Sequence, residues 1–366
     1  TYSAPFAHTL FVKEMQTADG GTLIYDYPRL KYGASHLHHP DAKWNDIQQT
    51  ILKASLLSLL LVFIVYICHC AACRWRRATS WRYEARRIVR SESDYPLGTF
   101  YLMLLVLTLI AFNLIALSAN YHVLGTDKVG QDVLYQALKS VRTGLVIGTL
   151  TTLVMLPMAI LLGIAAGYFR GWIDDVIQYI YTTLNSIPGV LLIAAAVLIL
   201  QVYMNNNPDQ FETIAERADM RLLFLCIILG VTSWTGLCRI LRAETLKLRE
   251  AEYVLASRAL GASNFSILHK HILPNLMHLV MIAVVLDFSG LVLAEAVLSY
   301  VGVGVDPSMI SWGNMINSAR LEMARDPVVW WSLTAAFISM FILVLAANLF
   351  ADVVRDAFDP RMQGAR

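Results

Sequence analysis

Charge is scarce in this chain. Only 15% of its 366 residues are Asp, Glu, Lys or Arg. A soluble protein of this size needs more polar surface than that, so the composition excludes an ordinary soluble fold. The Gly-Lys dipeptide is absent. There is thus no G-x-x-x-x-G-K-S/T loop to cradle phosphate, and the chain is not expected to hydrolyse ATP itself. Five scattered cysteines form no evenly spaced framework, so disulfides are not implied. No His/Ser/Asp group and no paired carboxylates form a catalytic constellation, so the chain does not read as an enzyme. Residues 1–50 are polar and carry no signal-peptide pattern. The formal net charge of +2 gives no pointer to nucleic acid.

Apolar residues are abundant instead: 57% of the chain, with mean hydropathy +0.55. A helix crossing the roughly 30 Å hydrocarbon core needs about 20 apolar residues. Seven segments meet or approach that length, at about 51–72, 99–119, 142–167, 176–203, 221–241, 275–298 and 328–351. Lipid cannot satisfy open backbone groups, so each is expected to be helical and the fold all-α and polytopic. Pro157 and Pro188 interrupt two spans and read as packing kinks.

The basic residues give the orientation. Arg74, Arg76, Arg77, Arg82, Arg86, Arg87 and Arg90 lie between the first two spans. Arg239, Arg242, Lys247, Arg249, Arg258 and Lys270 flank the loop after the fifth. The positive-inside rule places both loops in the cytoplasm, and the even number of spans between them agrees. The C-terminus, with Arg355, Arg361 and Arg366, is then also cytoplasmic. Residues 1–50, 120–141, 204–220 and 299–327 fall outside.

Two clusters of metal-binding residue types stand apart from the spans. His36, His38, His39 and Asp41 lie close together, but no further ligand completes a site, and they read as a solvated loop. Cys68, His69, Cys70 and Cys73 sit at the inner end of the first span and read as apolar filling. No metal is expected.

Polar residues 250–275 lie between two apolar segments. Glu250, Glu252 and Arg258 are charged, while Ala251, Ala256, Ser257 and Ala259 are small, which suits a short helix at the membrane surface. Gly261 is placed to end it, Ser263 to cap the next turn, and Pro274 to start the following span. The stretch resembles the cytoplasmic coupling loop of ABC importer permeases, E-A-A, three residues, Gly, nine residues, Ile, one residue, Leu-Pro. Ala256, Ser257, Gly261, Leu273 and Pro274 fall in register, while Leu255 takes the Glu position and His271 the Ile position.

Three further stretches resemble the inner-membrane permease of dipeptide, oligopeptide and nickel importers. Leu124–Val133 looks like the family's L-G-T-D-x-x-G-R-D-V, with Gln131 in place of Arg. Ala296–Pro307 with Ser311–Met315 resembles its external loop ending in S-W-G. Asp352–Pro360 resembles its D-x-x-R-D-x-x-D-P. The resemblance covers about 120–360.

The resemblance implies a permease domain of six helices over 99–360 and a cytoplasmic tail at 361–366. Before it come an external segment, 1–50, and at least one extra transmembrane helix with an Arg-rich loop, 51–98. The chain opens on Thr1, and an added N-terminal helix and an inserted helical hairpin with a further helix upstream both remain open. Function follows as the transmembrane half of an ATP-driven peptide importer in the bacterial inner membrane. The implied partners are a second permease chain, two ATPase subunits holding ATP and Mg, and a periplasmic substrate-binding protein. A nickel or antimicrobial-peptide importer is the alternative within the family; an ion-coupled transporter and a membrane scaffold lie outside it.

The resemblance implies ATPase coupling through Glu250, Glu252, Tyr253, Ala256, Ser257, Arg258, Gly261, Leu273 and Pro274. Asp287 and Glu295, roughly 80° apart on one helix, are the pathway candidates, because acids in a span should face the bundle interior or water. At the external mouth Asp127 and Asp132 are expected as exposed acids, and Trp312 as a rigid aromatic docking surface.

Overall fold

The computed structural model describes residues 2–17, 23–30, 32–37, 42–77, 96–207 and 213–358. His38, His39, Asp41, Arg82, Arg86, Arg87, Arg90, Asp359, Pro360, Arg361 and Arg366 lie outside the described residues. By compactness the chain divides into residues 1–134 and 135–366.

In the first unit a small hairpin pairs β1 (Glu14–Thr17) antiparallel with β2 (Leu23–Asp26). The helices α1 (Lys43–Arg77) and α2 (Leu97–Ser118) then pack side by side. Hydrogen bonds between polar side chains join the two apolar helices. Ser58 Oγ donates to Thr108 Oγ1 at 3.0 Å, and Asn113 Nδ2 to Ser55 Oγ at 3.2 Å. His69 Nδ1 lies 2.6 Å from the Tyr101 hydroxyl. The N-terminal stretch is tied to the 119–132 loop through Ser3 with Thr126 and through Phe6 N–H, which donates to the His122 carbonyl. Ala34, Ile47, Leu117, Tyr121, Val123 and Leu134 form the core beneath.

The second unit holds most of α3 (Val133–Phe169), then α4 (Trp172–Ser186), α5 (Gly189–Asn206) and α6 (Ile214–Arg249). A capping box starts α6, with Thr213 and Glu216 satisfying each other's backbone N–H groups. The short α7 (Glu252–Ala259) and α8 (Asn264–Ile267) follow, and a single π turn, Leu268–Ile272, leads into α9 (Leu273–Tyr300). The unit ends with α10 (Trp312–Glu322) and α11 (Trp331–Phe358).

Seven helices among the described residues are long and apolar enough to cross a membrane, in the order the hydropathy predicts. The fold is all-α apart from the small hairpin. Two details differ from the sequence reading. Pro157 lies within one continuous helix, whereas Pro188 ends one. Proline drives the residue before it toward extended backbone and has no N–H to donate. Ile187 accordingly sits at φ −92°, ψ 131°, and the expected 176–203 span becomes two helices. Of these only α5 is a candidate span. Nor is 299–327 simply a loop, since α10 lies within it.

Close helix packing brings the main core together. A Cβ at Gly163 would lie 2.9 Å from the Cys238 carbonyl, and one at Gly167 would lie 2.7 Å from that of Arg242. Small residues four apart let α3 and α6 approach backbone to backbone. Around this crossing gather Met155, Tyr168, Ile177, Tyr181, Trp234, Leu237, Leu241, Val254, Ile267 and Ile272.

Candidate functional site

The 250–275 loop is a compact, hydrogen-bonded structure. Its helix α7 ends in a full Schellman cap: Gly261 N–H donates to the Arg258 carbonyl at 3.0 Å, and Ala262 N–H to that of Ser257 at 3.1 Å. Gly261 takes φ +81°, which a side chain would resist. Ser263 Oγ then accepts from Ser266 N–H at 3.3 Å and starts α8.

Two polar knots fix this loop. In the first, the Ser257 hydroxyl donates to the Tyr253 carbonyl at 2.9 Å and lies 3.2 Å from His271 Nε2. Asn275 Nδ2 donates to the Tyr253 hydroxyl at 3.2 Å. The second centres on Tyr168, whose hydroxyl donates to Asn264 Oδ1 at 2.9 Å and whose carbonyl accepts from Arg249 Nη1 at 2.7 Å. Arg258 lies over the Tyr168 ring, 5.5 Å from its centroid. Glu250 pairs with Arg170 at 3.0 Å. Sequence reasoning missed Tyr168, Arg170 and Asn264, because Tyr168 and Arg170 belong to the far end of another helix and Asn264 looked like an ordinary loop residue.

The loop therefore presents a fixed surface. Val254 points into the core, while Glu252, Tyr253, Leu255, Ala256 and Arg258 are exposed. Leu260 is 89% exposed and Phe265 79%. Leu273 is half-buried and Pro274 exposed in the first turn of α9. Apolar side chains held outward on a rigid polar loop are what a partner's surface covers.

Near the end of α6, Arg242 meets Asp174, in the first turn of α4, in a bidentate pair with bonds of 2.5 and 2.7 Å. The Arg242 hydrogen bonds hold the Asp174 carboxyl below the usual carboxylate range, against the opposing effect of burial.

The two intramembrane acids have different surroundings. Glu295 is only 2% exposed and accepts from the Ser299 hydroxyl at 2.7 Å, so it faces the interior and does not reach water at the helix end. Asp287 is half-buried and makes no hydrogen bond or ion pair among the described residues.

At the far end of α9 the chain folds back on itself. Ser299 Oγ accepts from Val305 N–H at 3.2 Å. A Cβ at Gly313 would lie 2.4 Å from that of Ser299, so the helix end and α10 touch only because position 313 has no side chain. The buried Arg221 donates from Nε to the Gly304 carbonyl at 3.0 Å, and Thr143 Oγ1 donates to that of Ile310 at 2.7 Å. Arg221 was also missed, although an arginine inside an apolar segment is itself a signal.

The residues expected at the outer docking surface are less exposed than the sequence suggests. Trp312 is 1% exposed and packs beside Gly144, because its large ring fills the slot that the glycine leaves. Asp127 and Asp132 are only half-exposed, and both carboxylates are engaged within the loop. Asp127 Oδ1 accepts from Val129 and Gln131 N–H, each at 2.9 Å, and Asp132 meets His122 Nδ1 at 2.6 Å.

Comparison with known proteins closes the identification. Residues 159–364 match the family model described as binding-protein-dependent transport system inner membrane component. The glutathione transport system permease protein of Pectobacterium atrosepticum is 31% identical over 301 residues, 78% of this chain and 92% of that one. The dipeptide transport system permease protein of Bacillus subtilis is 30% identical, covering 66% of this chain and 69% of its own. The oligopeptide transport system permease protein of Mycobacterium bovis is 31% identical, covering 67% and 78%. A solved chain of the inward-facing MetNI methionine ABC transporter covers 63% of this chain and 99% of its own, at 18% identity and TM-score 0.46, a likeness too slight to weigh. The chain is a multi-pass membrane protein, and it belongs to the family of binding-protein-dependent transport system inner membrane components.

Proposed function

We propose that this chain is the permease subunit of an ATP-driven importer of peptides, forming half of the translocation pathway through its 99–360 domain. The 250–275 loop is the contact for a separate ATPase, and a second permease chain completes the pathway. A substrate-binding protein delivers cargo on the opposite face. The loop and the C-terminus face the cytoplasm. The chain has no reaction chemistry of its own: ATP and Mg belong to the ATPase subunits.

One observation carries this reading, the rigid, capped α7 with Leu255, Leu260 and Phe265 turned outward. A lever needs a stiff end that a motor can grip, and the Schellman cap and the Tyr168 knot supply one. The names of the relatives, dipeptide, oligopeptide and glutathione permeases, favour peptides over nickel. In the membrane, Asp287 is the pathway residue, because an acid without a partner among the described residues is best placed facing water or another subunit. Glu295 is structural.

Proteoliposomes holding both permease chains and the ATPase test the proposal. With the binding protein present, they should take up labelled dipeptides only when ATP is supplied, and vanadate should stop them. Uptake that follows an ion gradient without ATP would assign the chain to another class.

A further inference from the structure

The break at Ile187–Pro188 leaves α4 without a continuous backbone ladder to the span that follows it. Something else must hold α4 in place. It meets α6 along one line of contacts that runs antiparallel. Arg242 Nε and Nη2 donate to the two Asp174 oxygens at 2.5 and 2.7 Å. The Arg239 guanidinium lies 5.4 Å from the centroid of the Tyr181 ring. Thr235 Oγ1 donates to Asn185 Oδ1 at 3.1 Å. Residues 174, 181 and 185 thus face 242, 239 and 235 in order. Ile177 and Tyr181 add apolar contact with the core around Leu237 and Leu241.

The three polar contacts are unequal. A planar bidentate pair fixes distance and angle together, whereas apolar faces can slide and one neutral hydrogen bond is weak. Both Asp174 and Arg242 are largely withdrawn from water, so removing one leaves a buried charge behind. Arg242 also lies on the same helix that runs unbroken to Arg249 and then into Glu250 and α7.

We propose that Asp174 is a positioning residue for transport: its paired bond to Arg242 makes α4 move with α6 when the 250–275 loop is displaced. The proposal rests on the coupling role given to that loop. Loss of the pair uncouples the loop from α4 while α7 keeps its grip on the motor.

Asp174→Ala and Arg242→Ala test it in the full complex with the second permease chain, ATPase and binding protein. The readout is uptake of an isotope-labelled dipeptide mixture per ATP hydrolysed. Both variants should keep basal ATP hydrolysis and lose uptake per ATP by roughly tenfold, the scale at which residues between coupled sites act. The reversed pair, Asp174→Arg with Arg242→Asp, should recover most of it. Asp174→Asn, which keeps the shape, replaces the alanine variant should that one not assemble. An unchanged ratio in assembled single variants would overturn the inference, as would a reversed pair that assembles but does not recover. If the unaltered complex shows no ATP-driven uptake, the proposed function fails first and the inference with it.

Discussion

The indole N–H of Trp312 donates to the carbonyl of Ala137 at 3.1 Å, across 175 residues of sequence. The bond ties the start of α10 to the first turns of α3. The same ring lies where Gly144 leaves room, 3.1 Å from an ideal Cβ there. Trp312 is therefore a pin holding the 301–311 loop, with its aromatic surface spent inside the subunit.

Trp312→Ala should accordingly destabilise the subunit by about 3–5 kcal/mol, the usual cost of emptying a buried aromatic site. Basal and binding-protein-stimulated ATPase should fall together, with a lower melting temperature in detergent. Trp312→Phe keeps most of the packing and loses the hydrogen bond, at about 1 kcal/mol. Loss of stimulation alone, with full stability, would return the residue to the docking surface.

Gly261→Leu places a side chain at φ +81°. The left-handed conformation costs a non-glycine residue roughly 1–2 kcal/mol. Nothing lies within 4 Å of an added Cβ, so strain and new exposed bulk are the only effects. Membrane insertion and yield should survive, while substrate-stimulated ATPase in the reconstituted complex drops. Gly261→Ala, with the strain but little bulk, should fall between the two. Equal activity in all three would remove the capped turn from the coupling argument.

Asp287→Asn should leave thermal stability within about 0.5 kcal/mol of the unaltered chain, since no partner among the described residues is lost. Transport should change nonetheless. Asp287→Cys, in a background without the native cysteines, should react with a water-soluble thiol reagent in the assembled complex. Silence toward that reagent, in every nucleotide state, would show the position sealed and not on a wet path.

The Asp174 pair also predicts a pH dependence. Its folded pKa lies below the ordinary 3.8, so the pair stabilises the folded state above that value. The contribution is lost as pH falls through the depressed folded pKa. The melting-temperature gap between the unaltered chain and Asp174→Asn should be constant near neutrality and close only in strong acid, below about pH 4. A gap that already closes between pH 5 and 7 would show that other groups set it.

The spans were legible because twenty-residue apolar runs have one stable solution in lipid. The turn chemistry of the 250–275 loop was legible too: Gly261 and Ser263 act as their residue types demand. Pro188 was not, since the same residue can bend a helix or end one, and neighbours decide. Nor was α10, whose polar composition hides a helix inside a loop. The burial of Trp312 was not legible either, because nothing local to Ser311–Met315 announces a glycine slot at Gly144, more than 160 positions away. The Tyr168–Asn264 and Arg221–Gly304 contacts belong to the same class: long-range pairings between residues that look ordinary where they stand.

The central claim is that the outward face of α7 and its cap is where a motor subunit grips this chain. A single cysteine replacing Leu260, in a chain free of the five native ones, tests it most directly. Membranes carrying the complex would be treated with a short thiol cross-linker, with and without ATP. The account predicts a covalent product between this chain and the ATPase subunit, with a yield that changes when ATP is added. No such product from position 260, alongside efficient cross-linking to the ATPase from another loop of this chain, would contradict it.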